Sequence, residues 1–378
     1  MKVVIAVDSF KGSLTSMEAG NAVKSGILRA VPQAQVVVRP LADGGEGTTD
    51  AFIDGLGCRK VELTVTGPMG RDAQAYYGWL PSSGTAVMEM AAAAGITMVP
   101  DADKDPMRAS TYGVGEMILH GVKKGCREFI LGIGGSATND GGLGMLMALG
   151  YEFTDKDGNP VPQGAAGLGK TAHISGEGAL PELKECTFKV ACDVTNPLCG
   201  TNGATYIYGP QKGVTADIME GLDQDMARFA DVTAAYLGAD NREVPGAGAA
   251  GGLGFALMGY LGASLEPGVN LLLEATGLEE ALKDADVVVT GEGRLDGQTA
   301  MGKAPVGVAG LAKKYGITVL AFAGGVTKEA VKCNAKGIDA FFPIVRGITT
   351  LEEAMEPENA RQNMADTVEQ VFRLMAAR

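Results

Sequence analysis

The feature that most constrains how this chain can fold is a series of short runs in which every residue is apolar. Val3–Val7, Val287–Val289 and Val319–Phe322 are examples. A strand without alternating polar positions has both faces covered, which is typical of the parallel sheets of α/β proteins. On this basis we predict strands at Val3–Val7, Val36–Val38, Ala86–Met90, Phe129–Ile133, Phe188–Ala191, Val287–Val289, Val319–Phe322 and Ala340–Pro343.

Helical patterns lie between these runs near both ends of the chain. Thr15 and Glu18 form a capping-box pattern, in which a hydroxyl and a carboxylate bind backbone N–H groups reciprocally at a helix start. Thr350 and Glu353 repeat the pattern, so we predict that the last helix begins there.

Strand–helix alternation at both ends of the chain favours a Rossmann-like, doubly wound α/β domain. We predict that residues 1–63 and 277–378 form this domain together. Residues 64–276 are richer in turns, and we predict that they form a second, inserted α/β domain.

The charge of the chain excludes several classes of partner. The formal net charge is −13, so the chain repels phosphate backbones and anionic lipids, and we expect neither nucleic-acid nor membrane binding. Met1 leads directly into the first predicted strand, so we expect no signal peptide and a cytoplasmic protein. Six cysteines without a CxxC pair and only two histidines argue against structural zinc. We expect a monomer or a homodimer.

Glycine is the anomaly in the composition, with 56 residues, about twice the usual share. Many glycines lie in loops that follow predicted strands and also carry acids. In the first such loop, Asp8 is placed to hold a metal or to polarise a hydroxyl. Ser9 and Lys11 are placed to hold an anion beside a helix N-terminus. Ligands of open α/β sheets bind at this carboxyl end of the strands.

Two further loops combine glycines with polar groups. Asp43 lies in the loop after the second strand, where three glycines imply that the backbone approaches something closely. In the segment 132–142, Ser136, Thr138 and Asn139 stand beside Asp140. The glycine spacing there partly fits a dinucleotide fingerprint, but the hydroxyls and the acid suit a polyhydroxy substrate or a metal–phosphate better.

Two glycine motifs match nucleotide-binding motifs only in part. The segment 246–251 matches G-x-G-x-x-G in letters, but no apolar strand precedes it, so we interpret it as a close-packing helix start. The segment 297–303 reads G-x-x-x-x-G-K, yet Ala304 replaces the hydroxyl residue that binds Mg²⁺ in a P-loop. This strand end nevertheless bears acids, a hydroxyl and cations, a mixture suited to metal and phosphate handling: Glu292, Arg294, Asp296, Thr299 and Lys303.

Another acid, Asp193, follows the strand Phe188–Ala191 directly and has the position of a general base or metal ligand. The order and the sequences of these loops resemble those of the bacterial glycerate kinase family of the first type over essentially the whole chain. The tracts that carry the resemblance are Asp8–Ser13, Ala42–Thr48, Gly132–Gly142, Ala191–Pro197, Tyr208–Gly213, Gly246–Gly252 and Thr290–Arg294.

The resemblance implies ATP- and Mg²⁺-dependent phosphorylation of D-glycerate at its 2-hydroxyl, in glyoxylate or sugar-acid catabolism, with the active site in a cleft between two α/β domains. We predict catalytic roles for Asp193, Asp296 and Lys11, and metal ligation by Asp296 and Asp193. We predict substrate contacts by Asp8, Ser9, Asp43, Ser136, Thr138, Asn139, Asp140 and Arg294, and nucleotide contacts by Gly291, Glu292, Gly293, Thr299 and Lys303. The alternatives are an NAD-dependent oxidoreductase acting on a small hydroxy acid and a non-catalytic sugar-acid binding protein.

Overall fold

The computed structural model describes residues 1–42 and 47–377. In this part of the chain the strands are β1 (Lys2–Val7), β2 (Gln35–Val38), β3 (Arg59–Thr66), β4 (Asp72–Leu80), β5 (Thr85–Glu89), β6 (Glu128–Gly132), β7 (Glu152–Thr154), β8 (His173–Ser175), β9 (Thr187–Ala191), β10 (Ser264–Glu266), β11 (Val287–Leu295), β12 (Thr318–Val326) and β13 (Ala340–Pro343). The α-helices are α1 (Ser16–Ala30), α2 (Thr48–Leu56), α3 (Ala91–Ala94), α4 (Tyr112–Lys123), α5 (Leu143–Ala148), α6 (Ala204–Tyr208), α7 (Ala216–Leu237), α8 (Ala249–Leu261), α9 (Gly268–Ala275), α10 (Leu278–Leu282), α11 (Ala304–Lys313), α12 (Leu351–Met355) and α13 (Pro357–Ala376). None of the helices described here is both long and apolar enough to cross a bilayer.

The chain divides into two compact units. The terminal unit consists of Met1–Asp43, Asp50–Gly57 and Val269–Arg378. The central unit consists of Gly44–Thr49 and Cys58–Gly268. The predicted domain boundaries fall a few residues farther along the chain, and the division into those domains stays a prediction.

The terminal unit is built on a five-stranded parallel sheet in the order β13-β12-β11-β1-β2. Val4 and Ala6 of β1 pack with α9, α10 and α11, whereas Val3 and Ile5 pack with α1 and α13. Both faces of the sheet are therefore covered, as the apolar runs predicted, and the α/β class is confirmed. Numbered along this unit, the strand order is 2-1-3-4-5, which is the flavodoxin-like order of doubly wound sheets.

Each predicted strand coincides with an observed strand to within two residues, except at the ends of β11 and β12. These two strands continue beyond their apolar runs because they pair with each other. Glu292 lies opposite Ala323 and Arg294 opposite Gly325 in the parallel register. The predicted strand end at Val289 is therefore too early: Glu292 and Arg294 both belong to β11.

Both predicted capping boxes are present. The Thr15 hydroxyl accepts the backbone N–H of Glu18, and the Glu18 carboxylate accepts that of Thr15. Thr350 caps α12 in the same way, but α12 ends at Met355 and a second helix, α13, begins at Pro357. The helix that begins after Thr350 is therefore not the last one, contrary to the prediction, because a proline without an N–H group fits only the first turn of a helix and starts a new one at Pro357.

The central unit contains a six-stranded mixed sheet in the order β10-β9-β6-β5-β4-β3, and β7 pairs with β8. The strands β10, β9, β6 and β5 are parallel, whereas β4 is antiparallel to both β5 and β3. The hairpin β3–β4 was not predicted from the sequence. Its strands mix exposed and buried positions: β3 alternates polar and apolar residues, and the apolar stretch of β4 is interrupted at Gly78.

The segment around Gly246 serves close packing, as the sequence analysis proposed. Gly251 has φ +68°, and a Cβ atom placed there would lie 2.1 Å from the carbonyl oxygen of Thr138. The carbonyl of Gly251 in turn accepts the N–H of Gly141 at 2.9 Å. The start of α8 therefore lies against the backbone of the loop after β6, a contact that only glycine allows.

Candidate functional site

A cavity of about 470 Å³ lies within the terminal unit. Its walls come from the loop after β1, the second half of β11 and the turn beyond it, the end of β12, the loop after β13, α12 and the first turn of α13. The cavity is thus at the carboxyl ends of parallel strands, beside the β1–β11 pair where the strand order reverses. It brings together eight predicted site residues: Asp8, Ser9, Lys11, Glu292, Gly293, Arg294, Asp296 and Lys303.

The loop after β1 is fixed by backbone contacts at its start. The N–H of Asp8 donates to the carbonyl of Gly291 at 2.8 Å, which continues the β1–β11 pairing by one residue. The N–H of Ser9 donates to Asp8 Oδ1 at 2.6 Å, and Asp8 is only 5% exposed. Ser16 Oγ donates to the carbonyl of Val7 at 2.7 Å, tying α1 to the same strand end. These contacts hold a buried carboxylate at the cavity wall.

Thr299 links the two acids contributed by β11 and the turn beyond it. Its hydroxyl donates to Glu292 Oε1 at 2.6 Å and accepts the N–H of Asp296 at 3.1 Å. Asp296 Oδ1 accepts the backbone N–H groups of Gln298 and Thr299, at 2.8 and 3.3 Å. Because Oδ1 is held by two amides, the orientation of the Asp296 carboxylate is fixed.

Cationic groups balance these acids. Lys303 Nζ lies 3.9 Å from Glu292 Oε2, and Arg294 Nε lies 4.0 Å from Asp296 Oδ2. The side chains of Arg294 and Lys303 are 71% and 39% exposed, so both cations can still reach a ligand. With Lys11, three cations face three carboxylates along the cavity wall. An anionic ligand therefore meets local neutrality there despite the net charge of −13.

The donor set suits a magnesium ion shared with phosphates better than a cage made of protein alone. Nowhere in residues 1–42 and 47–377 do three or more His, Cys, Asp and Glu side chains form a group that could hold a metal. In phosphoryl-transfer sites Mg²⁺ takes one or two carboxylates, keeps several waters and binds the substrate phosphates. Glu292 and Asp296, joined through Thr299, offer such a pair.

In the central unit, the loop after β6 holds its acid inside the protein. Asp140 is 0% exposed. Its carboxylate accepts hydrogen bonds from the N–H and hydroxyl of Thr111 and from the N–H groups of Gly142 and Gly144, at 2.8 to 3.2 Å. Burial raises its pKa, and these donors act in the opposite direction. The geometry gives Asp140 a structural role at the start of α5, and its predicted substrate contact stays a prediction.

Lys212 is a residue that the sequence analysis did not select. It is 2% exposed, and its Nζ donates to Ser136 Oγ at 2.6 Å and to the carbonyl of Thr138 at 2.7 Å. Burial lowers the pKa of Lys212 to about 7, opposed by the charge of Asp140. Thr138 and Asn139 are 0% exposed, and Asn139 Nδ2 donates to the hydroxyl of Thr205 at 3.1 Å.

The remaining predicted site residues are placed as follows. Gly291 and Thr299 are buried beside the cavity wall in the terminal unit. Asp193 follows β9 in the central unit, where it is exposed and its Oδ1 accepts the N–H of Gly268 at 3.1 Å. Asp43 lies outside the described residues. The Glu89 carboxylate accepts the N–H of Gly47, at the end of this loop, at 3.4 Å and the N–H of Thr49, at the start of α2, at 2.6 Å.

The loop after β6 does not lead directly into a helix, as the glycine-rich loop of a dinucleotide-binding fingerprint does. Its glycines begin at Gly132, but α5 begins only at Leu143, with residues 133–142 in between. A dinucleotide-binding loop opens a helix directly at its glycines, so that the pyrophosphate meets the helix N-terminus. This observation weighs against the oxidoreductase alternative.

An anion-compatible cavity at the strand ends of a doubly wound unit is typical of α/β enzymes that handle phosphorylated ligands. A sequence model of the Glycerate kinase family matches residues 3–376, and the chain belongs to this family. The predicted resemblance is thereby confirmed.

Individual relatives agree over nearly the whole chain. It is 45% identical to a Bacillus subtilis (strain 168) protein named glycerate kinase, over 94% of this chain and 93% of that protein. It is also 45% identical to the Escherichia coli (strain K12) protein named glycerate 2-kinase, with the same coverage of 94% and 93%. A crystal structure of a candidate glycerate kinase 2 from Salmonella typhimurium LT2 is 44% identical, with a TM-score of 0.92 and coverage of 100% of this chain and 98% of that one.

Proposed function

We propose that this chain is a glycerate 2-kinase, a phosphotransferase that uses ATP to phosphorylate the 2-hydroxyl of D-glycerate. Membership of the glycerate kinase family supports the reaction class. The observation that carries the proposal in the structure is the cavity of the terminal unit, where three cations and three carboxylates meet at the strand ends. Phosphoryl transfer depends on positioning and on charge neutralisation, and this set of side chains supplies both.

The cations have the first role. Lys11, Arg294 and Lys303 neutralise the transferring phosphoryl group and the glycerate carboxylate as the two anions approach each other. Arg294 presents a planar fork of N–H donors, which suits bidentate binding of a carboxylate or phosphate. Lys303 is the N-cap residue of α11, where the helix N-terminus adds positive potential.

The acids have the second role. Asp296, oriented by two backbone amides, is the proposed base for the 2-hydroxyl, and Asp193 is the second candidate. Glu292 and Asp296 would hold Mg²⁺ together with the phosphates. When bound, this ion neutralises charge on the transferring phosphoryl group and orients it. Asp8 and Ser9 are proposed to contact the substrate hydroxyls.

The central unit is proposed to contribute hydroxyl and amide groups of Ser136, Thr138 and Asn139 to substrate binding. A location of the active site in a cleft between domains stays a prediction, and so do the catabolic pathway, the cytoplasmic location and the choice between monomer and homodimer.

The decisive test is a coupled assay of ADP release with Mg²⁺-ATP over a panel of small hydroxy acids, with ³¹P NMR of the product. We expect turnover with D-glycerate and a product phosphorylated at C2. A product phosphorylated at C3 would refute the proposed regiochemistry. NAD-dependent oxidation without ADP release would favour the oxidoreductase, and glycerate binding without turnover would favour the binding protein.

A further inference from the structure

The cavity of the terminal unit has two chemically different walls. One wall, formed by the loop after β1 and by the residues from β11 to α11, carries all the charged side chains that line the cavity. The other wall, formed by the loop after β13 and by α12 and α13, is apolar throughout: Ile344, Val345, Leu351, Ala354, Met355 and Ala360. The charge–phosphate chemistry of the proposed function leaves this second wall without a role.

The strand order sets the distance between the two walls. β12 lies between β11, which supplies the charged wall, and β13, which leads into the apolar one. Neighbouring strands are about 4.8 Å apart, so β11 and β13 lie about 10 Å apart across β12. The walls meet on the side of the loop after β1, since a Cβ atom at Gly12 would lie 2.9 Å from the Cε of Met355. Along β12, a nucleoside triphosphate is long enough to reach from one wall to the other.

The floor between the walls is kept open by glycine. Gly324 and Gly325 are the residues of β12 that line the cavity. A Cβ atom at Gly325 would have its nearest neighbour, the Cγ of Arg294, at 3.9 Å, and φ at this position is not positive. Neither backbone conformation nor close packing therefore requires glycine at position 325. The missing side chain leaves room for a ligand along the floor.

The apolar wall also retains exposed surface. Leu351 lines the cavity and is 77% exposed, although its helix α12 packs against α13. Apolar side chains left exposed around a concave site mark binding surfaces more often than ordinary protein surface does. The faces of a purine ring are apolar and match such a wall.

We propose that the apolar wall formed by Val345, Leu351, Ala354 and Met355 binds the adenine base of ATP, with the phosphates running over Gly325 toward Lys303 and Arg294. This inference rests on the proposed function, because it assigns the nucleotide of that reaction to one cavity. It also assigns each part of ATP to one wall. The charged wall receives the phosphates, and the apolar wall makes the enzyme select a nucleotide over simple polyphosphate.

The inference is tested by calorimetric binding of two probes to the full chain with Mg²⁺: β,γ-imido-ATP, and inorganic tripolyphosphate, which has no base. We expect the wild type to bind imido-ATP at least about tenfold more tightly than tripolyphosphate. Ala354→Phe fills the apolar end without changing charge. It should weaken imido-ATP binding about tenfold and leave tripolyphosphate binding within about twofold of wild type. The matched control Ala376→Phe, at the exposed end of α13, should change neither affinity.

Three outcomes would overturn the inference: equal affinity of the wild type for the two probes, unchanged imido-ATP binding in Ala354→Phe, or equal weakening of both probes in that variant. If Ala354→Phe does not fold, Gly325→Val replaces it, with Gly310→Val on α11 as control, since a Cβ at Gly310 meets no atom within 4 Å. Binding is measured without turnover. A chain that discriminates between the probes but does not phosphorylate glycerate would therefore contradict the proposed function and leave the base site standing.

Discussion

The segment Gly291–Lys303 of the terminal unit and the loop Gly132–Gly142 of the central unit have similar compositions. Both combine glycines, hydroxyls and an aspartate at the end of a buried strand. In the terminal unit Asp296 lines a cavity, and only one of its carboxylate oxygens is held by backbone amides. In the central unit Asp140 is enclosed by four protein hydrogen bonds and has no exposed surface. Composition thus identifies loops that carry charge, whereas enclosure by neighbouring donors distinguishes a charge held inside the protein from one that is open to the cavity.

The largest effect should come from removing the charge that faces the cavity. Asp296→Asn should lower kcat for glycerate about 10²- to 10⁴-fold, because the proposed base and metal ligand is lost. Its free energy of unfolding should change by less than about 0.5 kcal/mol, since the amide oxygen can still accept the two backbone N–H groups. Steady-state kinetics and urea unfolding measure the two quantities.

Asp155→Asn is the matched control for this variant. Asp155 Oδ1 also accepts two backbone N–H groups in a turn, at 2.9 Å each, but it lies in an exposed turn of the central unit. Its kcat should equal that of the wild type. Activity of Asp296→Asn within a few-fold of wild type would remove Asp296 as base or essential metal ligand.

The second effect concerns the enclosed charge. Asp140→Ala leaves four donors without a partner in a buried site, and we expect the free energy of unfolding to fall by about 3 kcal/mol. Asp140→Asn should lose less, because one oxygen remains to accept hydrogen bonds. Urea unfolding of the two variants measures this. A loss below about 1 kcal/mol for Asp140→Ala would show that Asp140 is not the structural centre of its loop.

The sequence predicted which residues line the cavity better than it predicted the long-range contacts of buried polar residues. Asp8 could be selected because it directly follows a buried strand, at the ligand-binding edge of a parallel sheet, and Lys11 lies in the same loop. Asp296 could be selected because its segment combines acids, a hydroxyl and cations. Lys212 could not, because a lysine in a turn-rich tract carries no local sign of burial. Its position depends on contacts with Ser136 and Thr138, more than seventy residues away along the chain.

The fold shows the same limit. Strands with continuous apolar runs, such as β1 and β13, were placed to within a residue or two. The polar extension of β11 through Glu292 could not be foreseen, because it is stabilised by pairing with β12 and not by its own hydrophobicity. The hairpin β3–β4 could not be predicted either. Its strands are half exposed, so the burial of each residue depends on the strands that it pairs with.

The third effect compares Lys303, which lines the cavity, with Lys314, which does not. Lys303→Met should lower kcat/KM for ATP about 10- to 100-fold, because the cation beside Glu292 is lost from a partly solvated site. The free energy of unfolding should stay within about 0.5 kcal/mol of wild type, since ion pairs of exposed lysines contribute little. Lys314→Met, an exposed position just after α11, is the control and should retain full activity. Unchanged kcat/KM in Lys303→Met would exclude Lys303 from phosphate binding.

The smallest effect is a change in how stability depends on pH. Burial lowers the pKa of Lys212 to about 7 in the folded protein. The amino group of an unfolded chain titrates near 10.4. Below about pH 7 the group is charged in both states and contributes no slope. Between about pH 7 and 10 the unfolded chain holds a proton that the folded chain has released, so this group makes the wild type more stable as pH rises, by at most about 1.4 kcal/mol per pH unit.

Lys212→Met removes that contribution. The difference in unfolding free energy between wild type and variant should therefore move in favour of the wild type from pH 7 to pH 9, as measured by urea unfolding at intervals across this range. Lys184→Met, an exposed lysine of the same unit, should follow the wild-type curve. Parallel curves for wild type and Lys212→Met would mean that Lys212 keeps its proton when folded. The attraction of Asp140 would then outweigh the cost of burial, and the enclosed loop would hold an ion pair instead of a neutral amine.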